Sequence, residues 1–138
     1  MTDAADLTPE DAAALVSEHR DLDALLGAFL AAASGGALAA SVDAIARLDE
    51  AIRVHSRFEE SLFPAASGKL VARAGETPWE ELFRDLRLEH VQIRELSGMI
   101  RRVLGESGDL AGIRTLATNL ASRWEIHTTR EEKEWLAG

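Results

Sequence analysis

Four histidines (His19, His55, His90 and His127) and two glutamates (Glu59 and Glu131) are the residues whose types and spacing can do chemistry in this chain. Glu59 follows His55 by four residues, and Glu131 follows His127 by four. On a helix that interval sets both side chains of a pair on one face, a turn apart. Imidazole nitrogen and carboxylate oxygen grouped in this way suit a metal ion. The chain has no cysteine, which excludes thiolate zinc sites, iron–sulfur clusters, disulfides and a thiol nucleophile. Tyrosine is also absent, so neither a phenolate ligand nor a tyrosyl radical is available.

Helix formers dominate, only three prolines occur, and alternating β-branched or aromatic runs are missing, so the elements that position these residues are helices. Thr8-Pro9-Glu10-Asp11 reads as a helix start, with threonine as N-cap and acids in the first turn, and Thr77-Pro78-Trp79-Glu80 repeats it. Breaks are expected at Ser34-Gly35-Gly36, from Pro64 to Gly75, and from Gly105 to Gly108. The punctuation predicts four helices over 9–33, 41–66, 78–104 and 109–136. Short connections between them favour an all-α, up-down-up-down antiparallel four-helix bundle, with residues 1–138 as one domain.

Each helix carries a stripe stepping by three and four, and each stripe contains one histidine: Leu15-His19-Leu22 in the first, Ile52-His55-Glu59-Leu62 in the second, Leu86-His90-Ile93-Ser97 in the third and Trp124-His127-Glu131 in the fourth. With two positions in seven facing a bundle core, four such placements arise by chance about once in 150. Depth agrees with face. In an antiparallel pair, residues equidistant from the turn lie level. The midpoint of His19 and His55 is residue 37, in the first turn; that of His90 and His127 falls between 108 and 109, in the last. The two halves also match in sequence, "EHRDLDALL" with "EHVQIRELS" and "HSRFEESLF" with "HTTREEKEW", which predicts a pseudo-symmetric site.

Two buried carboxylates are costly unless paired or bound to metal, and neutral imidazoles do not neutralise them. Four nitrogens and two carboxylates fit two ions, each held by two histidines, with Glu59 and Glu131 bridging. Ligands of this kind without sulfur favour iron, with manganese or zinc as substitutes. Glu60 and Glu132 are rotated by about 100° from the stripe, so solvation is expected of them, with orientation of ligand histidines as the alternative. Trp124, one turn before His127, is expected to pack as core; Trp79 and Trp135 are expected to cap the bundle.

The order H…HxxxE…H…HxxxE over four helices, with "HxxxEExxLFP" in the second, resembles the hemerythrin-like, HHE cation-binding family over nearly the whole chain. The resemblance implies a non-haem di-iron centre with an oxo or hydroxo bridge and His19, His55, Glu59, His90, His127 and Glu131 as ligands. The oxygen carriers of that family have a fifth histidine one turn after the third-helix histidine, where this chain has Arg94, and a different spacing for the last carboxylate. The expected function is therefore binding of, and reaction with, O2, peroxide or nitric oxide; reversible O2 storage or iron sensing without turnover is the alternative. Arg94 is expected to extend to water, with lining of the pocket as the other reading.

A formal charge of −9 disfavours a nucleic acid or an anionic membrane surface. The uncharged stretch from Ala24 to Val42 is rich in alanine, broken by Ser34-Gly35-Gly36 and flanked by aspartates, unlike a membrane span. The N-terminus has no basic region leading into an apolar run. A cytoplasmic protein, monomeric or weakly homo-oligomeric, is expected.

Overall fold

A computed structural model of the chain describes residues 7–74 and 78–136, with side chains described outside 64–80. Four helices follow in order: α1 (Pro9–Ser34), α2 (Leu38–Ala74), α3 (Pro78–Glu106) and α4 (Arg114–Glu131), the last running into a π-helical turn over Glu132–Leu136. Neighbours run antiparallel, as expected. No described residue is in a strand. Among the described residues no helix is long and apolar enough to cross a membrane.

The N-cap expected for α1 forms: the Thr8 hydroxyl accepts from the Asp11 N–H at 3.0 Å, and Pro9 occupies the first turn where no N–H is needed. The turn into α2 uses Gly36 at φ +73°, a left-handed conformation that a side chain would strain. Gly108, at φ +66°, has a second reason to be glycine, because a Cβ there would meet Leu38 Cδ2 at 3.1 Å.

Two expected boundaries move furthest. The break from Pro64 is not observed, and the α2 backbone stays helical to Ala74. A proline withdraws one N–H from the ladder, whereas the alanine-rich chain after it retains strong helix propensity. Thr77 lies outside the described residues, and so does the side chain of Trp79. The start of α4 shifts from 109 to 114, because Asp109 Oδ1 accepts from the Gly112 N–H at 2.8 Å and closes a local turn that competes with the helix.

The stripes of α1, α3 and α4 are buried as read, His19, His90 and His127 included. In α2 the core position near the end belongs to Phe63, with Leu62 only partly buried. The apolar interior is in two parts. Leu22, Phe29, Ile45, Ile100 and Trp124 belong to a larger cluster, and Leu15, Phe63, Phe83 and Trp135 to a smaller one. The histidines and Glu59 and Glu131 form the layer between them. Fully burying a large apolar side chain contributes about 1.5–3 kcal/mol, so the two parts offset the cost of burying the polar layer between them.

Candidate metal centre

His19 comes from α1, His55 and Glu59 from α2, His90 from α3, and His127 and Glu131 from α4. All six are at most 2% exposed. Their side chains converge, and ligand atoms of His19, His55, Glu59 and Glu131 lie within 4.8 Å of one another, as do those of His55, Glu59, His90 and His127. Glu59 Oε2 is 3.1 Å from His55 Nε2 and 3.9 Å from His19 Nε2, while its Oε1 is 2.7 Å from His90 Nε2 and 3.7 Å from His127 Nε2. Glu131 complements it: Oε1 is 2.8 Å from His19 Nε2, and Oε2 is 3.2 Å from His127 Nε2.

The other ring nitrogens settle the tautomers. Nδ1 of His19 is 2.7 Å from Glu132 Oε2, and Nδ1 of His90 is 2.6 Å from Glu60 Oε2. His55 Nδ1 reaches Glu18 Oε1 and His127 Nδ1 reaches Glu89 Oε1, both at 2.6 Å. An ionised carboxylate only accepts, so each Nδ1–H donates, and in a neutral ring Nε2 then carries a lone pair. Glu60 and Glu132 remain partly exposed, as expected, and also take the alternative role of orienting a histidine. Their rotation off the core stripe sends them to the bundle flank, from where each reaches a histidine on the neighbouring helix.

Glu18 and Glu89 were missed by the sequence reading, although a signal existed: each directly precedes a histidine, in the paired segments "EHRDLDALL" and "EHVQIRELS". The four outer carboxylates obey the twofold repeat. Glu18–His55 in one half corresponds to Glu89–His127 in the other, and Glu60–His90 corresponds to Glu132–His19.

Among the described residues, eight buried side-chain atoms are left without a hydrogen-bond partner: Nε2 of each histidine and both oxygens of Glu59 and of Glu131. With Nδ1 as donor, these are acceptors facing acceptors, at 2.7–3.2 Å in the closest pairs. Such contacts repel unless a cation lies among them, as a proton or as a metal. The proton demand is visible in the chain itself. Burial acts to lower the pKa of His19 and of His90, but the carboxylates of Glu59 with Glu132, and of Glu59 with Glu60, outweigh it and raise both above the ordinary histidine value. Burial likewise opposes the charge on Glu59, yet the four histidines hold its carboxyl well below the usual range. A donor set of four nitrogens and four oxygens with no protein partner fits metal.

The family model of the hemerythrin HHE cation-binding domain matches residues 11–137. The chain belongs to that family. Comparison with curated proteins and with solved structures gives no match. Family membership and the histidine–glutamate cluster together point to metal binding.

Two further residues lie close to the cluster. Trp124 packs its indole edge-on to His19 and His55, with ring centroids 5.7 and 5.9 Å away, and lies 6.0 Å from His127. It is core, and it also covers the cluster. Its Nε1–H donates to Asp23 Oδ1 of α1 at 2.7 Å. Arg94 reaches the rim of the bundle, where its guanidinium is 3.6 Å from Glu60 Oε2. The side chain at that position therefore supports the outer carboxylate of His90.

Proposed function

We propose that the chain holds two iron ions in one metal-binding domain, His19 and His55 binding one and His90 and His127 the other, with Glu59 and Glu131 spanning both. The single observation that carries this reading is the set of eight buried, unpartnered nitrogen and oxygen atoms. The division into two ions is supported by the carboxylate oxygens, since in Glu59 Oε2 faces the α1–α2 histidines and Oε1 the α3–α4 histidines. Iron is favoured by a donor set of imidazole and carboxylate without sulfur.

We infer further that the centre binds and reacts with O2, peroxide or nitric oxide. Iron held by these residues would supply Lewis acidity and electrons. The chain's own residues do the rest. Glu18, Glu60, Glu89 and Glu132 fix the ring orientations and make the imidazoles better donors. The apolar clusters above and below the layer, with Trp124 beside it, keep bulk water out. With arginine at position 94 in place of the fifth histidine of the family's oxygen carriers, the histidines present would leave the ions able to take a small ligand. The acidic balance of the chain argues for small-molecule ligands over nucleic acid.

Anaerobic reconstitution with ferrous iron followed by elemental analysis tests the metal, with two ions per chain expected. Mixing the reduced protein with O2 then tests reactivity. Irreversible loss of the ferrous spectrum supports turnover, whereas an oxygenated band that disappears under vacuum supports reversible storage. Binding of less than one ion per chain would overturn the metal assignment.

A further inference from the structure

We propose that the seam between α1 and α4 is the way in and out of the metal cluster, with Trp124 as its door and Asp23 as the latch. The proposal rests on the metal-binding reading above and adds a route to it.

The argument comes from a broken symmetry. Placing His19 on His90 and His55 on His127 makes the α1–α4 seam the twofold counterpart of the α2–α3 seam, so matched positions should close both alike. They do not. At the level of Asp49 and Ser97 the α2–α3 seam is locked by a buried hydrogen bond, Ser97 Oγ donating to Asp49 Oδ1 at 2.6 Å, with Arg101 donating to the same carboxylate at 3.1 Å. The corresponding α1–α4 residues are Ala121 and Leu26, which offer no polar lock. One turn nearer the cluster, Ile52 and Arg94 correspond to Trp124 and Asp23. Arg94 is tied to Glu60 on its own seam, whereas Trp124 and Asp23 join their two helices through a single hydrogen bond.

A groove of about 460 Å3 lies on the α1–α4 side, and Leu26, Ala121, Asp23, Trp124 and Glu132 are among its lining. Two of these touch the cluster directly: Trp124 packs on His19, and Glu132 accepts from its Nδ1. The similar-sized groove at α2–α3 opens instead onto Arg53 and Arg94, which Asp49 and Glu60 hold. His19, on which the indole packs, has an unpartnered Nε2 that lies 2.8 Å from the equally unpartnered Glu131 Oε1. Rotation of the Trp124 side chain, held at its nitrogen by one hydrogen bond to an exposed aspartate, would join this groove to the buried layer.

A door alters rates in both directions and leaves the equilibrium alone, whereas a ligand alters the equilibrium. The test uses the metal-free full chain with cobalt(II) under argon, measuring uptake by absorbance, release into excess chelator, and the ions bound at the end point. Trp124→Phe removes the indole N–H and keeps a ring, and Asp23→Ala removes the acceptor from an exposed position. Each should speed uptake and release alike by about tenfold, the size expected for losing one hydrogen bond to a charged group, with the ratio of the two rates unchanged. Arg123→Ala, which breaks a hydrogen bond to Gln92 on the α3–α4 rim, should change neither rate. Indole N–H exchange at Trp124, followed by NMR, should quicken in Asp23→Ala. Unchanged rates in both seam variants with a normal end point overturn the route alone. Equal acceleration in Arg123→Ala also overturns it. An unsubstituted end point near zero overturns the metal reading and the route together.

Discussion

Glu18 of α1 lies 2.6 Å from Nδ1 of His55 on α2, and Glu89 of α3 stands at the same distance from His127 of α4. The carboxylate accepts the ring proton and thereby aims the other nitrogen's lone pair into the bundle. Glu18→Gln and Glu89→Gln leave a neutral acceptor of the same shape. Each is expected to lower metal affinity by about 10- to 100-fold, the usual effect of removing an outer partner of a ligating histidine. Competition titration against a chelator measures it, and affinities within twofold of the unsubstituted protein would contradict the assignment.

Glu59→Gln and Glu131→Gln should cost more stability with metal than without it. In the metal-free chain the histidines still favour a charged carboxylate at position 59, so each substitution is expected to lower thermal stability modestly. With metal present each removes a bridge, and stability falls relative to the loaded parent. Melting curves with and without ferrous iron under argon give all four values. Equal losses in both conditions would mean the carboxylates are merely packing groups.

Metal removal itself should destabilise. At free metal about a thousandfold above Kd, binding to the folded state alone adds about 4 kcal/mol per site. For a chain of this length chelation should lower Tm by about 10 °C or more. Calorimetry before and after dialysis against chelator reads the shift, and coincident transitions would argue against a preformed site.

Asp49 sets an acid limit that is separate from the cluster. Burial acts to raise its pKa, but the Ser97 hydroxyl, Arg101 and Arg53 outweigh that and hold it below the ordinary aspartate value. A group with a depressed folded pKa adds its full stabilisation above the unfolded value and loses it as pH falls toward the folded one. Stability should therefore decline as pH drops through and below the ordinary aspartate range. In Asp49→Asn that part of the decline should be absent, with a loss of about 1–3 kcal/mol at neutral pH from the weakened buried hydrogen bonds. Urea unfolding between neutral pH and pH 3 checks both, and parallel pH profiles would remove Asp49 as the cause.

Gly108→Ala is expected to cost about 1–2 kcal/mol, because an alanine there takes a left-handed backbone and presses on Leu38. A substitution with no effect on the urea midpoint would show that the turn relaxes.

What the sequence disclosed follows the strength of its periodic signals. His19, His55, His90 and His127 stand on apolar stripes at matched distances from turns, so their meeting in one layer was legible from spacing. Glu59 and Glu131 inherit that legibility through the four-residue step. Glu60 and Glu132 were harder, since a residue off the stripe is ordinarily solvated; only the register of the neighbouring helix shows what it reaches. Asp49 was invisible for the same reason. Nothing local marks an aspartate as buried until Ser97 of another helix is known to lie opposite. The backbone past Pro64 and the delayed start of α4 depend on competition between nearly equal local states, which propensity alone does not decide.

Each half of the repeat keeps one outer carboxylate for itself and lends the other away: Glu18 serves His55 within its own half, while Glu60 serves His90 and Glu132 serves His19 across the divide. Glu59 and Glu131 also face both halves. Neither α1–α2 nor α3–α4 therefore owns a complete site. Severed in the segment joining α2 to α3, the chain would yield two fragments that are each other's missing cofactor, and metal would be the glue that reports their reunion.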